Sequence, residues 1–245
     1  MADLESGQHQ RLLPNFLMQH YAISADGKEV VFIVADDTGR SPVWVAPLDG
    51  RIAPRQITNN TVNAWKTYFV AGGYVIFVGE EKGRKFVFRV KEDGSELQKV
   101  VPIDSGLTMF NASPDGKSVV IPGRTDKREW SAMVYPVTDG SPTPLCVPCV
   151  SGNDVERTGP PGVSWSPDAK FIYLQFPEST YAVALRPGQM LPPLSATGFE
   201  SEEEVASLPG ARLIPEQGAF PGPDPSIYAF TKVATHRNIY RIPVP

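Results

Sequence analysis

Two cysteines, Cys146 and Cys149, form a Cys-x-x-Cys motif, the pattern in this chain that most suggests metal or redox chemistry. A tetrahedral metal site would need two further soft ligands, and the chain has no second cysteine pair. A thioredoxin-type role would need a helix start to activate the thiol, whereas this pair lies at the end of an expected strand. The motif therefore favours a structural thiol pair or a local disulfide, with redox activity and metal binding as alternatives.

The residues required for kinase or hydrolase chemistry are missing from the sequence. The segment His236-Arg237-Asn238 resembles the catalytic His-Arg-Asp of protein kinases, but asparagine stands where the base should be. There is no glycine-rich loop of the required spacing, no Asp-Phe-Gly and no Gly-x-Ser-x-Gly elbow. Only 3 histidines are available for a catalytic triad. We therefore predict a non-enzyme that carries no cofactor and no metal.

A short motif recurs along the chain, and such repeats decide the expected fold. Copies of the type Ser-Pro-Asp-Gly begin at Ser24, Ser113, Ser166 and Gly222, and an apolar segment follows each. The first two copies are 89 residues apart, about twice the ~40–50 residues of one propeller blade. A degenerate copy lies between them at residues 68–78. The later spacings are 53 and 56 residues, so the last units carry insertions.

The motif has the chemistry of a turn between two antiparallel strands. Proline presets φ at the second turn position, aspartate suits the third, and glycine takes the left-handed position that follows. The next segment is apolar at nearly every position, as expected for a strand covered on both faces. A third strand, a second turn and a short fourth strand follow in the units, for example at residues 43–45, 49–50 and 55–58.

Four antiparallel strands in about 45 residues are typical of a propeller blade. We predict an all-β chain, a single β-propeller domain over residues 1–245 with about five four-stranded blades. The blades would span residues 15–58, 59–102, 103–148, 149–200 and 201–245, the last joined by residues 1–14. Segment 8–13 would then pair beside strand 238–243 and close the ring. The alternatives are a β-sandwich, and the C-terminal piece of a longer propeller that begins inside an upstream blade.

Loops that precede the first strand of each blade meet at one mouth of a propeller channel, where we expect a ligand to bind. Aromatic and arginine side chains are common anchors of binding sites. The candidate ligand-binding residues on this rim are His20, Asn63, Trp65, Phe110, Arg157 and Gln217. Three other hairpins are expected at the opposite end as solvated turns, at residues 36–37, 80–82 and 127–129.

Composition narrows the range of partners. The net charge is −4 without any basic run, which argues against nucleic acid because phosphate binding takes clustered Lys and Arg. No segment approaches the ~20 apolar residues that cross a membrane, so no direct membrane insertion is expected. No signal peptide is recognisable, so the chain as written is expected in the cytoplasm. The expected partner is a protein, a peptide or a small ligand, bound by a monomer.

Residues 201–206 form a charged segment that begins as a capping box, with Ser201 followed three residues later by Glu204. Pro209 and Gly210 would end it. We predict a short helix in the insertion before the last blade, either as a solvated decoration or as an element that docks a partner.

The repeat described above resembles the WD40-like repeat of the TolB β-propeller family, over about residues 15–245. Within that resemblance, the last third is similar to the C-terminal propeller of receptor-like bacterial serine/threonine kinases. The segments that carry this second likeness are 165–168, 191–194, 201–204, 208–212, 221–225 and 237–243.

In those kinases the propeller follows a catalytic domain and a membrane segment and is the sensor or interaction part. The resemblance therefore implies a binding or sensor module, with an extracytoplasmic location if the chain belongs to a membrane-anchored kinase. This chain departs from the pattern because it contains no kinase domain. The alternative is an accessory propeller of a kinase or a prolyl-oligopeptidase-type peptidase whose catalytic domain lies on another or an upstream chain.

Overall fold

The computed structural model describes residues 13–59, 61–103, 109–150, 162–176, 178–216, 218–222 and 224–230. These residues form an all-β structure in which four four-stranded antiparallel sheets are arranged in a ring, as the blades of a β-propeller. Each sheet is built from strands that are consecutive in sequence. Within these residues, none of the helices has the length and apolar character needed to cross a membrane.

The first two sheets follow the predicted blade limits closely. The first sheet contains β1 (Met18–Ile23), β2 (Glu29–Val34), β3 (Val43–Pro47) and β4 (Arg55–Gln56). The second contains β5 (Asn63–Val70), β6 (Tyr74–Glu81), β7 (Arg84–Lys91) and β8 (Gln98–Ile103). The degenerate repeat at residues 68–78 therefore marks a real blade.

The third and fourth sheets continue the ring. The third contains β9 (Asn111–Ala112), β10 (Ser118–Arg124), β11 (Trp130–Pro136) and β12 (Thr143–Val150). The fourth contains β13 (Gly162–Trp165), β14 (Phe171–Gln175), β15 (Thr180–Ala184) and β16 (Arg212–Ile214). A two-stranded sheet of β17 (Phe220–Pro221) and β18 (Tyr228–Ala229) follows.

The limit predicted between the fourth and fifth blades was wrong. Strand β16 pairs with β15, so the fourth blade extends to Ile214 rather than to residue 200. The insertion lies between the third and fourth strands of this blade and contains α1 (Glu202–Ala206). The predicted ring closure depends on segments 8–13 and 238–243, and all of these residues except Leu13 lie outside the described residues.

The repeated turns have the predicted geometry. In the first sheet the N–H of Gly27 donates to the carbonyl of Ser24 (2.9 Å), and Gly27 has a φ of +71°. The Ser24 hydroxyl accepts from the backbone of Glu29 and donates to Asp26 Oδ1, at 2.9 and 2.7 Å. The same bonds occur at Ser113 and Ser166. The same local hydrogen bonds thus align the first and second strands of the first, third and fourth blades.

The sheets pack face to face through their second and third strands. One buried cluster joins Val31 and Val45 of the first sheet to Phe77 and Phe88 of the second. Equivalent clusters join the second sheet to the third and the third to the fourth. Central strands covered on both faces explain why the segments after the turns are apolar at nearly every position.

The insertion of the fourth blade contains the predicted helix cap and is attached to the strand that carries the cysteine pair. Ser201 accepts from the backbone N–H of Glu204 (3.3 Å) at the start of α1, as the capping box requires. Cys146 and Cys149 form a disulfide in β12, which confirms the predicted local pairing. Beside it, the N–H of Phe199 donates to the carbonyl of Leu145 (2.8 Å) and attaches the insertion to β12.

Candidate ligand-binding site at the start of the inner strands

One end of the propeller carries both the starts of the first strands and the hairpins between second and third strands; we call it the strand-start end. Strand β5 pairs with β6 so that Asn63 faces Glu80. The Asn63 side chain also accepts from the N–H of Ser41 (2.9 Å), in the β2–β3 hairpin of the neighbouring blade. The end with the Ser-x-Asp-Gly turns is called the turn end.

This arrangement corrects one prediction. The hairpins at residues 36–37, 80–82 and 127–129 were expected at the far end from the candidate rim, but they lie at the same end. The reason is that antiparallel pairing places the start of a first strand opposite the end of the second strand. Their charged side chains therefore border the candidate rim.

The first strands of successive sheets lie side by side, and hydrogen bonds connect them. The N–H of Thr67 in β5 donates to His20 Nδ1 in β1, at 3.3 Å. On the other side, the Tyr68 hydroxyl donates to Asn111 Oδ1 in β9 (3.0 Å). Strand β5 also carries a bulge between Ala64 and Lys66, which changes the direction of the side chains before Tyr68.

Three side chains from these strands meet around the phenol ring of Tyr68, and we call His20, Lys66, Tyr68 and Asn111 the inner-strand cluster. The His20 ring lies edge-on to the Tyr68 ring with 6.0 Å between centroids. The Lys66 ammonium lies 5.3 Å from the Tyr68 ring centroid, a cation–π contact. Together with the Tyr68–Asn111 hydrogen bond, these contacts place three polar side chains against Tyr68.

Burial shapes the electrostatics of the inner-strand cluster. Desolvation lowers the pKa of Lys66 to about 8. Desolvation, and then the nearby Lys66 charge, lower the pKa of His20 to about 4. Burial raises the pKa of Tyr68 above its ordinary value. At neutral pH the cluster therefore contains one ammonium, a neutral imidazole and a neutral phenol.

The structure places two more of the predicted rim residues at the strand-start end. Asn63 uses its side-chain oxygen to hold the neighbouring hairpin, as described above. Trp65 is partly buried against the cluster between the second and third sheets, and the Lys85 ammonium lies 5.5 Å from its ring centroid. Trp65 thus contributes to the packing between the second and third sheets as well as to the rim.

The other predicted residues differ in their positions. Phe110 was expected on the rim, but its side chain is 0% exposed and packs edge-on to Tyr68, with 5.2 Å between centroids. It supports the inner-strand cluster from behind. Arg157 and Gln217 lie outside the described residues. His20 is the predicted candidate that the structure brings into the cluster.

Sequence reasoning missed Lys66, Tyr68 and Asn111 as site residues. A usable signal was present, because His20, Lys66 and Asn111 lie 46 and 45 residues apart, about one blade each. Polar residues that recur at the blade period within first strands must meet near the axis of the ring. The bulge in β5 obscures this relation, since it alters the alternation of side chains.

Elsewhere in the described chain, the alternatives are weaker candidates for a ligand site. A small recess lies beside the disulfide, and its lining includes Cys149, Val163, Leu174 and Phe199 but no ionisable side chain. Among the described residues, no group of three or more His, Cys, Asp and Glu side chains could hold a metal ion. The inner-strand cluster is therefore the strongest candidate site.

Comparisons with solved structures identify propellers. TolB from Acinetobacter baumannii aligns with a TM-score of 0.51 and 15% identity, over 75% of this chain and 45% of that protein. A TolB-type protein from Agrobacterium tumefaciens gives 0.50 and 17%, over 85% of this chain and 67% of that protein. Hydrazine synthase from Kuenenia stuttgartiensis gives 0.56 and 14%, over 75% of this chain and 33% of that protein.

These likenesses show the fold alone, a TolB-like β-propeller. The chain spans less than half the length of the Acinetobacter protein. No protein-family model matches the sequence, and no curated protein matches it.

Proposed function

We propose that this chain is a non-catalytic β-propeller module that binds a protein segment, a peptide or a small ligand at its strand-start end. The observation that carries this proposal is the inner-strand cluster, where polar side chains from three blades converge on Tyr68. Polar groups that converge in this way within a scaffold of packed sheets are typical of ligand sites.

The protonation states favour binding over catalysis. His20 is the histidine of the cluster, yet its Nδ1 accepts from a backbone N–H and its pKa of about 4 leaves it neutral. A general base of this kind is most effective with a pKa near the working pH. In the part of the chain that the structure describes, the hydrogen bonds and ion pairs include no carboxylate partner that would orient His20.

The second candidate function is an accessory propeller of an enzyme, kinase or peptidase, whose catalytic domain lies on another or an upstream chain. It is favoured by the resemblance of residues 165–243 to the propeller region of receptor-like kinases. Binding at the strand-start end is expected in both cases, and phosphate transfer or peptide cleavage by the purified chain alone is expected in neither.

We further propose that the ring contains a fifth blade and is closed by segment 8–13 pairing beside strand 238–243. Strands β17 and β18 supply two strands after the fourth blade. Tyr21 and Ile23 lie opposite Phe32 and Val30 in β2, on the face turned away from the second sheet, and are 61% and 45% exposed. A neighbouring blade on that face would remove these apolar side chains from water.

Spin labels at Gln10 and Arg241, placed in a variant without the native cysteines, test this closure by pulsed electron paramagnetic resonance. Neighbouring strands lie about 5 Å apart, so a label distance below roughly 20 Å is expected. A distance comparable to the width of the molecule would contradict the closure and leave the binding proposal intact.

The binding proposal is tested by panning a random peptide library and a metabolite library against the purified chain. Bound ligands are then compared between Trp65→Ala, at the strand-start end, and Tyr74→Ala, an aromatic at the turn end. If Trp65 is an anchor, its loss should weaken binding by about 2 kcal/mol, roughly 30-fold, while Tyr74→Ala binds as the parent does.

Because Trp65 is partly buried, thermal denaturation of Trp65→Ala accompanies the measurement. Lys85→Met removes the cation above the Trp65 ring and provides a second variant in which Trp65 itself is kept. Ligands whose affinity survives both changes but falls in Tyr74→Ala would contradict binding at the strand-start end.

A further inference from the structure

Lys66 is a largely buried cation that has no acidic partner among the described residues. The ion pairs between described residues do not include it. Its ammonium contacts the face of Tyr68, which offers a partial rather than a full negative charge. The titratable groups that face it, His20 and Tyr68, are both neutral at pH 7. Burying a charge without a counter-charge is costly, and an external anion would remove that cost.

The hydrogen bonds around Lys66 use the acceptor atoms of the neighbouring side chains, so that their donor groups remain available to a ligand. His20 Nδ1 accepts from Thr67, so the ring proton of the neutral imidazole is on Nε2, which can donate. Asn111 accepts from Tyr68 through Oδ1, so its amide N–H groups can also donate. In the described part of the chain no hydrogen bond uses His20 Nε2, Asn111 Nδ2 or Lys66 Nζ as a donor.

We propose that the inner-strand cluster recognises a carboxylate, which pairs with the Lys66 ammonium and accepts hydrogen bonds from Asn111 and His20. This inference rests on the binding function proposed above and specifies the chemistry of its ligand. One cation beside two neutral donors matches a monoanion, since a phosphate dianion would leave a buried negative charge unpaired. A carboxylate also has two oxygens that can accept separate donors.

The carboxylate can come from an acidic side chain, from a chain terminus or from a small organic acid. All three present the same group to Lys66, so the probes must separate them. Acetate serves as the minimal probe, with acetamide as the neutral isostere and chloride as the ionic-strength control. Blocked tripeptides Gly-Asp-Gly and Gly-Asn-Gly, and Gly-Gly-Gly with a free or amidated C-terminus, serve as matched peptide probes.

The first measurement follows the ¹⁵N resonance of the Lys66 side chain by NMR while pH is varied. Saturating acetate should raise the titration midpoint of Lys66 by about one unit or more, because a contacting opposite charge favours the protonated form. Acetamide and chloride should not. The Asn111 side-chain amide should shift with acetate in the parent and in Lys28→Met, but not in Lys66→Met.

Lys28→Met is the matched control because it removes the same charge from the turn end, where the Lys28 side chain is 79% exposed. Lys66→Met should lower acetate affinity at least tenfold, whereas Lys28→Met should leave it unchanged. Equal titration midpoints in acetate, acetamide and chloride, or acetate binding that survives in Lys66→Met, would overturn the proposal.

The peptide probes identify the source of the carboxylate. Tighter binding of Gly-Asp-Gly than Gly-Asn-Gly indicates an acidic side chain, and tighter binding of free than amidated Gly-Gly-Gly indicates a terminus. Binding of acetate with no gain from either pair indicates a small organic acid. Each of these results supports recognition of a carboxylate.

Failure of this inference differs from failure of the proposed function. Ligands from panning that depend on Trp65, lack acidic groups and ignore Lys66→Met would overturn the carboxylate inference and support the binding function. Panned ligands whose affinity survives the changes at Trp65, Lys85 and Lys66 but falls in Tyr74→Ala would contradict the proposed function instead.

Discussion

Replacing Lys66 with methionine should stabilise the folded chain at neutral pH. Methionine keeps the length of the side chain and its contact with Tyr68, and it removes a buried charge that forms no ion pair with the described residues. Burial lowers the pKa of Lys66 from 10.5 to about 8, so the folded state disfavours the ammonium that the unfolded state solvates freely.

The size of the effect follows from this difference in pKa. At 1.36 kcal/mol per unit, the charged form costs the folded state roughly 3 kcal/mol at pH 7. The unfolded chain binds more protons than the folded chain between pH 8 and 10.5, so the stability of the parent rises with pH across that window. At pH 9.5 the remaining cost is about 1 kcal/mol by the same conversion.

Urea unfolding of Lys66→Met and the parent at pH 7.0 and 9.5 measures both quantities. The variant should be more stable by roughly 2–3 kcal/mol at pH 7, and the difference should shrink to about 1 kcal/mol at pH 9.5. Lys28→Met, with its exposed side chain, should unfold with the parent at both values. The comparison between variants cancels the titration of other groups.

A Lys66→Met variant that is less stable than the parent at pH 7, or a difference in stability that does not change with pH, would contradict a destabilising buried charge at Lys66. Either result would mean that the Lys66 ammonium is solvated or paired in the folded chain. The expected result would agree with a binding role for Lys66, because residues of functional sites often lower the stability of the folded protein.

Three further predictions concern His20, the turns and the disulfide. His20→Asn should reduce the loss of stability in acid. The pKa of His20 is about 4 in the folded state against 6.5 in the unfolded state, so the stability of the parent falls as pH drops from 6.5 to 4. An equal fall of the urea midpoint between pH 7 and pH 5 in the parent and the variant would contradict this. Gly116→Ala should lower the free energy of unfolding more than Gly27→Ala does, as measured in urea. Both glycines have φ near +70°, which costs each variant about 1 kcal/mol, but the new Cβ at 116 would also lie 2.8 Å from a valine of the second sheet, while that at 27 meets nothing within 4 Å. Equal losses would mean that the second and third sheets do not pack this closely. Removing the Cys146–Cys149 disulfide by reduction should lower the free energy of unfolding by about 2 kcal/mol, from the loop-closure entropy of a short loop, and an unchanged melting temperature under reductant would contradict that.

Local chemistry accounts for what could be predicted from the sequence. The turns at Ser24, Ser113 and Ser166, the cap at Ser201 and the pairing of Cys146 with Cys149 involve residues within about five positions of one another. Hydrogen bonds and φ preferences of single residues decide such structures. The repetition of the turn then predicted the blades and the all-β propeller.

The site depended on relations that no local pattern contains. The sequence indicated His20, Asn63 and Trp65 as rim residues, but it placed Phe110 on the rim and the second-strand hairpins at the wrong end. It also ended the fourth blade too early, because the insertion separates β16 from β15 in sequence and only pairing across the sheet reunites them.

The repeating unit can be predicted from the sequence alone, because each blade is a set of short-range turns between strands that pair with their nearest neighbours. The contacts of His20, Lys66 and Asn111 with Tyr68 follow from the packing of whole blades. That meeting requires three sheets to pack face to face at a particular angle around the ring. This angle depends on how the faces of neighbouring blades pack against each other, and these faces come from segments about one blade apart in sequence. No single segment of the chain therefore determines it.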